Sequence, residues 1–130
     1  MTKEAIKVEN APAPSAPYSQ AMKVGNIVYT SGTVGFDPVT GKTIQGGIKA
    51  QAEQTLKNLD AILHGANTSL KNAIKVNVYL RSIDNFVAFN EVYKNFIDTE
   101  TPPARTTVEV GPFAVADLLV EIDVIAFISD

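Results

Sequence analysis

The sequence predicts an α+β fold in which two helices cover one face of a mixed β-sheet. Three observations carry that reading. Two segments repeat apolar residues at the helical period, several shorter ones alternate with period two, and the order runs β-β-α-β-α-β-β. At 130 residues the chain is sized for one domain, residues 1–130, of which 1–17 read as an extended N-terminal segment.

The stretch from Ala11 to Pro17 is rich in Pro and Ala, and each X-Pro step excludes helix. Met22–Val24 and Ile27–Ser31 are β-prone runs flanking Gly25-Asn26, a two-residue turn signal. A loop from Gly35 to Gly47 follows, punctuated by Asp37-Pro38 and Thr40-Gly41. Between Ile48 and Ala66, residues Ile48, Ala52, Leu56, Leu59, Leu63 and Ala66 form one apolar stripe opposite Lys49, Glu53, Lys57 and Asp60. Next, Ile74, Val76, Val78 and Leu80 alternate with Lys75, Asn77, Tyr79 and Arg81. The second helix opens near Asp84, an N-cap residue type, and aligns Phe86, Phe89, Tyr93 and Phe96 before Thr101-Pro102-Pro103 stops it. That aromatic stripe reads as core packing. Two further alternations, Arg105–Val110 and Val120–Ser129, complete the sheet.

Composition narrows the chemistry. The chain has no cysteine, which excludes disulfides, thiolate metal sites and a cysteine nucleophile. Its one histidine, His64, sits near the end of the first helix and reads as a partner of the helix dipole rather than a catalyst. No cofactor or metal is expected. A net charge of −3 and no basic stripe argue against a nucleic-acid partner. No run approaches the roughly 20 apolar residues of a membrane span. With no secretory or transit signature at the N-terminus, the expected compartment is the cytoplasm, the mitochondrion remaining open.

The helices can cover only one sheet face, and the aliphatic set is the one to cover. By alternation the other face would hold Tyr79, Arg105, Thr107, Glu121, Ile125 and Phe127, with Tyr29 and Ser31. Large apolar groups mixed with charges suit an interface, so the chain is expected to form a homo-oligomer across this face. The short link from Gly111 to Asp117 predicts that the last two strands are antiparallel neighbours, with Arg105 beside Asp123 or Glu121 depending on register. Two readings of that pair stay open. It is a surface ion pair, or Arg105 grips a ligand carboxylate while Glu121 handles a water or a proton.

The residues also carry a resemblance. Asn10-Ala11-Pro12, Ala16-Pro17-Tyr18-Ser19-Gln20, Tyr29-Thr30-Ser31-Gly32, Gln51-Ala52, Lys75-Val76-Asn77-Val78-Tyr79, Phe89-Asn90-Glu91-Val92-Tyr93, Pro103-Ala104-Arg105-Thr106-Thr107-Val108 and Val120-Glu121-Ile122 occur in the order and spacing of one family. Over nearly its whole length the chain resembles the RidA family (reactive intermediate deaminase A, formerly YjgF). The resemblance implies a chorismate-mutase-like fold and a homotrimer with ligand clefts between subunits. It implies a cofactor-free deaminase that hydrolyses 2-iminobutanoate, 2-iminopropanoate and their enamines to 2-keto acids and ammonia. Such intermediates escape from pyridoxal-phosphate-dependent serine and threonine dehydratases.

The same resemblance assigns roles. Arg105 would bind the substrate carboxylate, Glu121 would direct the attacking water, and Tyr18 would close over the ligand from the N-terminal segment. Ser31, Gly32 and Asn90 would line the cleft. Thr106 and Thr107 would flank Arg105, Thr107 through its backbone amide, with Thr106 turned by alternation toward the helices. Many relatives carry cysteine at the Thr107 position, but imine hydrolysis needs an activated water, not a thiol. The rival functions are a non-catalytic small-carboxylate (2-keto acid) sensor and an RNA-directed translation inhibitor or endoribonuclease.

Overall fold

The computed structural model describes residues 1–130. Its elements are β1 Lys3–Ile6, β2 Ala21–Val24, β3 Ile27–Thr30, β4 Thr33–Val34, α1 Gly47–His64, β5 Ala73–Leu80, α2 Phe86–Tyr93, β6 Ala104–Glu109 and β7 Val120–Phe127. One sheet runs β1-β2-β3-β7-β5-β6, with β4 also paired to β7. Only β5 and β6 are parallel, so the sheet is mixed as expected. Strands β1 and β4 have too little alternation to be read from sequence.

Val28, Val76, Val78, Leu80, Val120, Ile122, Val124 and Ala126 bury one sheet face against Ala52, Leu56, Leu59, Leu63 and Phe89 of the helices. Both helices lie on that face, which confirms the predicted layering. Helix α1 opens at Gly46 and Gly47, whose φ angles of 120° and 80° favour glycine. One edge of α1 is polar and still buried. Gln51 donates to the Asp117 carbonyl at 2.9 Å and accepts from the Leu119 amide at 2.8 Å. Asn58 donates to the carbonyls of Val34 and Phe36 at 3.0 and 2.9 Å. These bonds tie the backbone leading into β7 and leaving β4 to the helix. Helix α2 is not capped by Asp84: a 3-10 turn at Ile83–Asn85, in which Ser82 accepts from the Asp84 amide, leads into it, and its own N-cap residue, Asn85, makes no side-chain cap bond.

The expected pairing of the last two strands is wrong. Strand β5 lies between β6 and β7 and pairs with both. The reason is the crossover: α2 carries the chain back along the sheet, so β6 emerges parallel to β5, and β7 takes the other side. The register aligns Val76 with Arg105, Asn77 with Thr106 and Val78 with Thr107. Arg105 and Thr107 therefore share the helix-covered face and Thr106 the open one, the reverse of the expected alternation for all three. Tyr79, Glu121, Ile125, Phe127 and Tyr29 do share the open face.

Candidate functional site

Tyr18, Ser31, Gly32 and Glu121 line a cleft of about 320 Å³ on the open face. Glu121 projects from β7 between Val34 of β4 and Tyr79 of β5. Gly32 lies against its carboxylate: a Cβ there would stand 2.9 Å from Glu121 Cδ. The Ser31 hydroxyl donates to the Ser19 carbonyl at 2.6 Å, and the Ser31 amide to the Gln20 carbonyl at 2.9 Å. These bonds dock the segment that carries Tyr18. Gln20 extends the hold: its side chain accepts from the Val8 amide at 2.7 Å and donates to the Pro12 carbonyl at 2.9 Å. Gln20 is buried, and nothing in its local pattern distinguishes it from an ordinary polar residue before a strand.

Burial, and then the nearby charge of Asp123, raise the Glu121 carboxyl above its ordinary pKa. Asp123 is itself fully engaged. Asn77 Nδ2 donates to one oxygen at 2.8 Å and Tyr79 Oη to the other at 2.8 Å. That hydrogen bond, then burial and the two acidic charges, push the Tyr79 hydroxyl pKa up. Asp123 is thus a fixed negative charge two residues along the same strand face from Glu121. Glu121 makes no ion pair within the chain. A carboxylate with a raised pKa beside an open cleft can take a proton from water and return it to a departing group.

Arg105 lies elsewhere. It is half-buried on the helix-covered side of edge strand β6, with its guanidinium carbon 4.7 Å from the Tyr93 ring centre, 5.6 Å from Phe86 and 5.8 Å from Phe89. No carboxylate of the chain pairs with it. Asn90 shares that face of α2, and its Oδ1, like the Tyr93 hydroxyl, is buried without a hydrogen-bond partner. Thr107 is half-buried beside Arg105, whereas Thr106 is exposed on the open face and accepts from Lys75 Nζ at 2.8 Å.

The structure therefore gathers Tyr18, Ser31, Gly32 and Glu121 in one place and Asn90, Arg105 and Thr107 in another. The two groups stand on opposite sheet faces. Strand β5 separates Arg105, level with Val76, from Glu121, level with Tyr79, so at ordinary strand spacing and rise their backbones are roughly 14 Å apart. The ion pair expected between them does not form, and the two side chains do not share the one sheet face on which both readings placed them. Of the supporting charges, Glu109 accepts from the Ile83 amide at 2.9 Å and so ties β6 to the start of α2. His64 contacts the Asp60 carbonyl through Nδ1 at 2.6 Å, a local helix-end interaction.

Fold and site together define a small α+β domain with an acidic cleft on its open sheet face and an unpaired, aromatic-flanked arginine at its edge strand. Residues 8–128 match the family described as Endoribonuclease L-PSP. A RutC family protein of Pyrococcus horikoshii is 46% identical over 125 residues, covering 96% of this chain and 98% of that protein. A 2-iminobutanoate/2-iminopropanoate deaminase of Dermatophagoides farinae is 38% identical over 109 residues, 84% of each chain. The crystal structure of RidA from an Antarctic Psychrobacter superposes with a TM-score of 0.91 at 42% identity, covering 96% of this chain and 99% of that one. The chain belongs to this family, the Rid (Endoribonuclease L-PSP) proteins.

Proposed function

We propose that the protein is a cofactor-free deaminase of 2-iminobutanoate and 2-iminopropanoate, working in the cytoplasm as a homotrimer with one cleft at each subunit boundary. One observation carries the reading. Arg105 has no anionic partner in its own chain, and Glu121 has no cationic one. A planar fork with free N–H donors suits a carboxylate, and an elevated Glu beside an open cleft suits a water. Because the two occupy opposite faces, one ligand can meet both only across two copies, Arg105 from one subunit and the Tyr18–Ser31–Gly32–Glu121 cleft from its neighbour. Exposed Tyr29 and Phe127 on the open face are the apolar surface such an assembly would cover.

In that cleft the substrate carboxylate sits on Arg105, and Thr107 offers its backbone amide next to it. Tyr18 closes over the ligand, and Asn90 borders the Arg105 side of the cleft. Glu121 takes a proton as water oxygen bonds to C2 and the C=N π electrons move to nitrogen. Glu121 passes that proton to the nitrogen to complete the carbinolamine. It then takes the hydroxyl proton and delivers it to the leaving nitrogen as C=O forms and the C–N bond breaks, so a 2-keto acid and ammonia remain. The deaminase named among the relatives supports the substrate class.

The test is 2-oxobutanoate release from a threonine dehydratase reaction with and without the purified protein. The wild-type protein accelerates it, and Arg105→Ala loses at least about a thousandfold in kcat/KM. Sedimentation gives three times the 13.9 kDa chain mass. No acceleration would overturn the reading. The family description names an endoribonuclease, so the second reading is cleavage of RNA. RNA degradation lost in Glu121→Gln, with no effect on imine hydrolysis, would establish that one instead.

A further inference from the structure

Resting on that reading, we infer that Phe86, Phe89 and Tyr93 form a seat for the Arg105 guanidinium, with Tyr93 the main positioning residue for the substrate carboxylate. At spacings of three and four residues these side chains share one face of α2, and Arg105 enters that face from β6. All three ring centres lie within 6 Å of the guanidinium carbon, inside cation–π range, and Tyr93 is nearest. The predicted role of this stripe was core packing alone. Phe89 and Tyr93 are indeed buried, and they also border the arginine.

The choice of aromatic rings has a chemical consequence. An acidic partner would fix the guanidinium too, but it would occupy the N–H donors that an incoming carboxylate needs. Rings attract the cation through their π faces and leave its donors free. The Tyr93 hydroxyl is buried and finds no partner other than the guanidinium beside it, and the ring face is the larger surface offered to the cation. Ring for ring, Phe should replace Tyr at position 93, whereas an aliphatic residue of similar bulk should not.

The experiment compares Tyr93→Phe, Tyr93→Leu and Phe86→Leu in the intact protein. It measures KM and kcat for imine hydrolysis and the calorimetric Kd for 2-oxobutanoate and its neutral amide. Each Leu variant should raise KM and the 2-oxobutanoate Kd about tenfold, with kcat within about threefold of wild type and amide binding unchanged. Tyr93→Phe should restore wild-type values. Loss of carboxylate selectivity is a readout that loosened packing would not give. If Tyr93→Leu does not fold, the more exposed Phe86→Leu carries the test. Wild-type affinity in folded Leu variants, or equal losses in Tyr93→Phe and Tyr93→Leu, would overturn the seat. A wild-type protein that neither hydrolyses imines nor binds 2-oxobutanoate refutes the functional reading instead. The seat is then judged by the NMR order parameter of the Arg105 Nε–H bond: it falls in both Leu variants if the seat holds the side chain, and stays at the wild-type value if it does not.

Discussion

In the Glu121 cleft, hydrogen bonds to backbone fix the site: Ser31 holds Ser19, Gln20 holds Val8 and Pro12, and Gln51 and Asn58 hold the approaches to β7 and β4. At the β6 edge, aromatic rings on α2 surround Arg105, and no hydrogen bond to its side chain is needed. On the proposed function, one region orients a proton carrier whose environment must be exact in polarity. The other orients a permanent charge whose donors must stay free. The difference shows two ways of positioning an ionised group before a ligand arrives, each suited to what that group must do next.

Removing the carboxylate is the largest break available on the cleft side. Glu121→Gln keeps size and hydrogen bonding but cannot accept a proton, so kcat should fall about 10²–10⁴-fold while KM stays near wild type. On the proposed function the ionised form is the working base. The rate should therefore fall as pH drops through a midpoint above the ordinary 4.5 of glutamate, because burial and Asp123 raise that pKa. A pH–kcat profile checks the sign, and a midpoint at or below 4.5 would contradict the assigned environment. If Glu121→Gln instead weakened ligand binding and left turnover intact, the two regions would have exchanged roles.

A smaller break tests how tightly the cleft is drawn. A methyl group at Gly32 would meet the Glu121 carboxylate, and that carboxylate is the far end of a flexible side chain. Gly32→Ala should therefore fold normally while turning Glu121 away, lowering kcat about tenfold with little change in melting temperature. Gly35 contrasts with it: a Cβ there would stand 2.8 Å from the Gln51 backbone carbonyl, which cannot swing aside. Gly35→Ala should thus lower the melting temperature, and paired thermal scans and assays separate the two.

Much of this division was legible in the residues, and the missing part has a definite cause. The α1 stripe and the β5 and β7 alternations follow from local period, and the grouping of Tyr18, Ser31, Gly32 and Glu121 from the family resemblance. The side on which Arg105 stands does not, because it depends on which strand β6 joins. The short Gly111–Asp117 link suggested a hairpin with β7, yet the α2 crossover made β6 a parallel partner of β5, reversing the faces of Arg105, Thr106 and Thr107. The sequence offers Asp123 as one of two alternative neighbours of Arg105, but its bonds to Asn77 and Tyr79 needed the β5–β7 register to be seen.

Gln20 tests the hydrogen-bonded hold itself. Its buried amide both accepts and donates, so Gln20→Ala strands the Val8 amide and the Pro12 carbonyl. The expected cost is about 1–3 kcal/mol, measured by denaturant unfolding, with the Tyr18 segment released. A loss of the same size in Ser31→Ala would be surprising, since the Ser31 amide bond to Gln20 survives that change.

The smallest effect asks whether the two regions meet before substrate binds. A carboxyl with a raised folded pKa binds its proton more tightly in the native state than in the unfolded one. It therefore adds nothing above the folded pKa and makes the fold relatively more stable as pH falls toward the unfolded value of 4.5. Read at neutral pH, the ionised, partly buried Glu121 is a cost. Glu121→Gln should then raise the melting temperature slightly at pH 7, and the gain should fade as pH drops toward 4.5. The contrary result, a lower melting temperature at pH 7, would mean that a cation already offsets the charge. Arg105 is a half-buried cation without an anionic partner of its own, and strand order keeps it from Glu121 within one chain. Destabilisation by Glu121→Gln that disappears in an Arg105→Ala background would place the arginine of one subunit beside the carboxylate of another in the ligand-free assembly, whereas stabilisation leaves both charges waiting for the substrate.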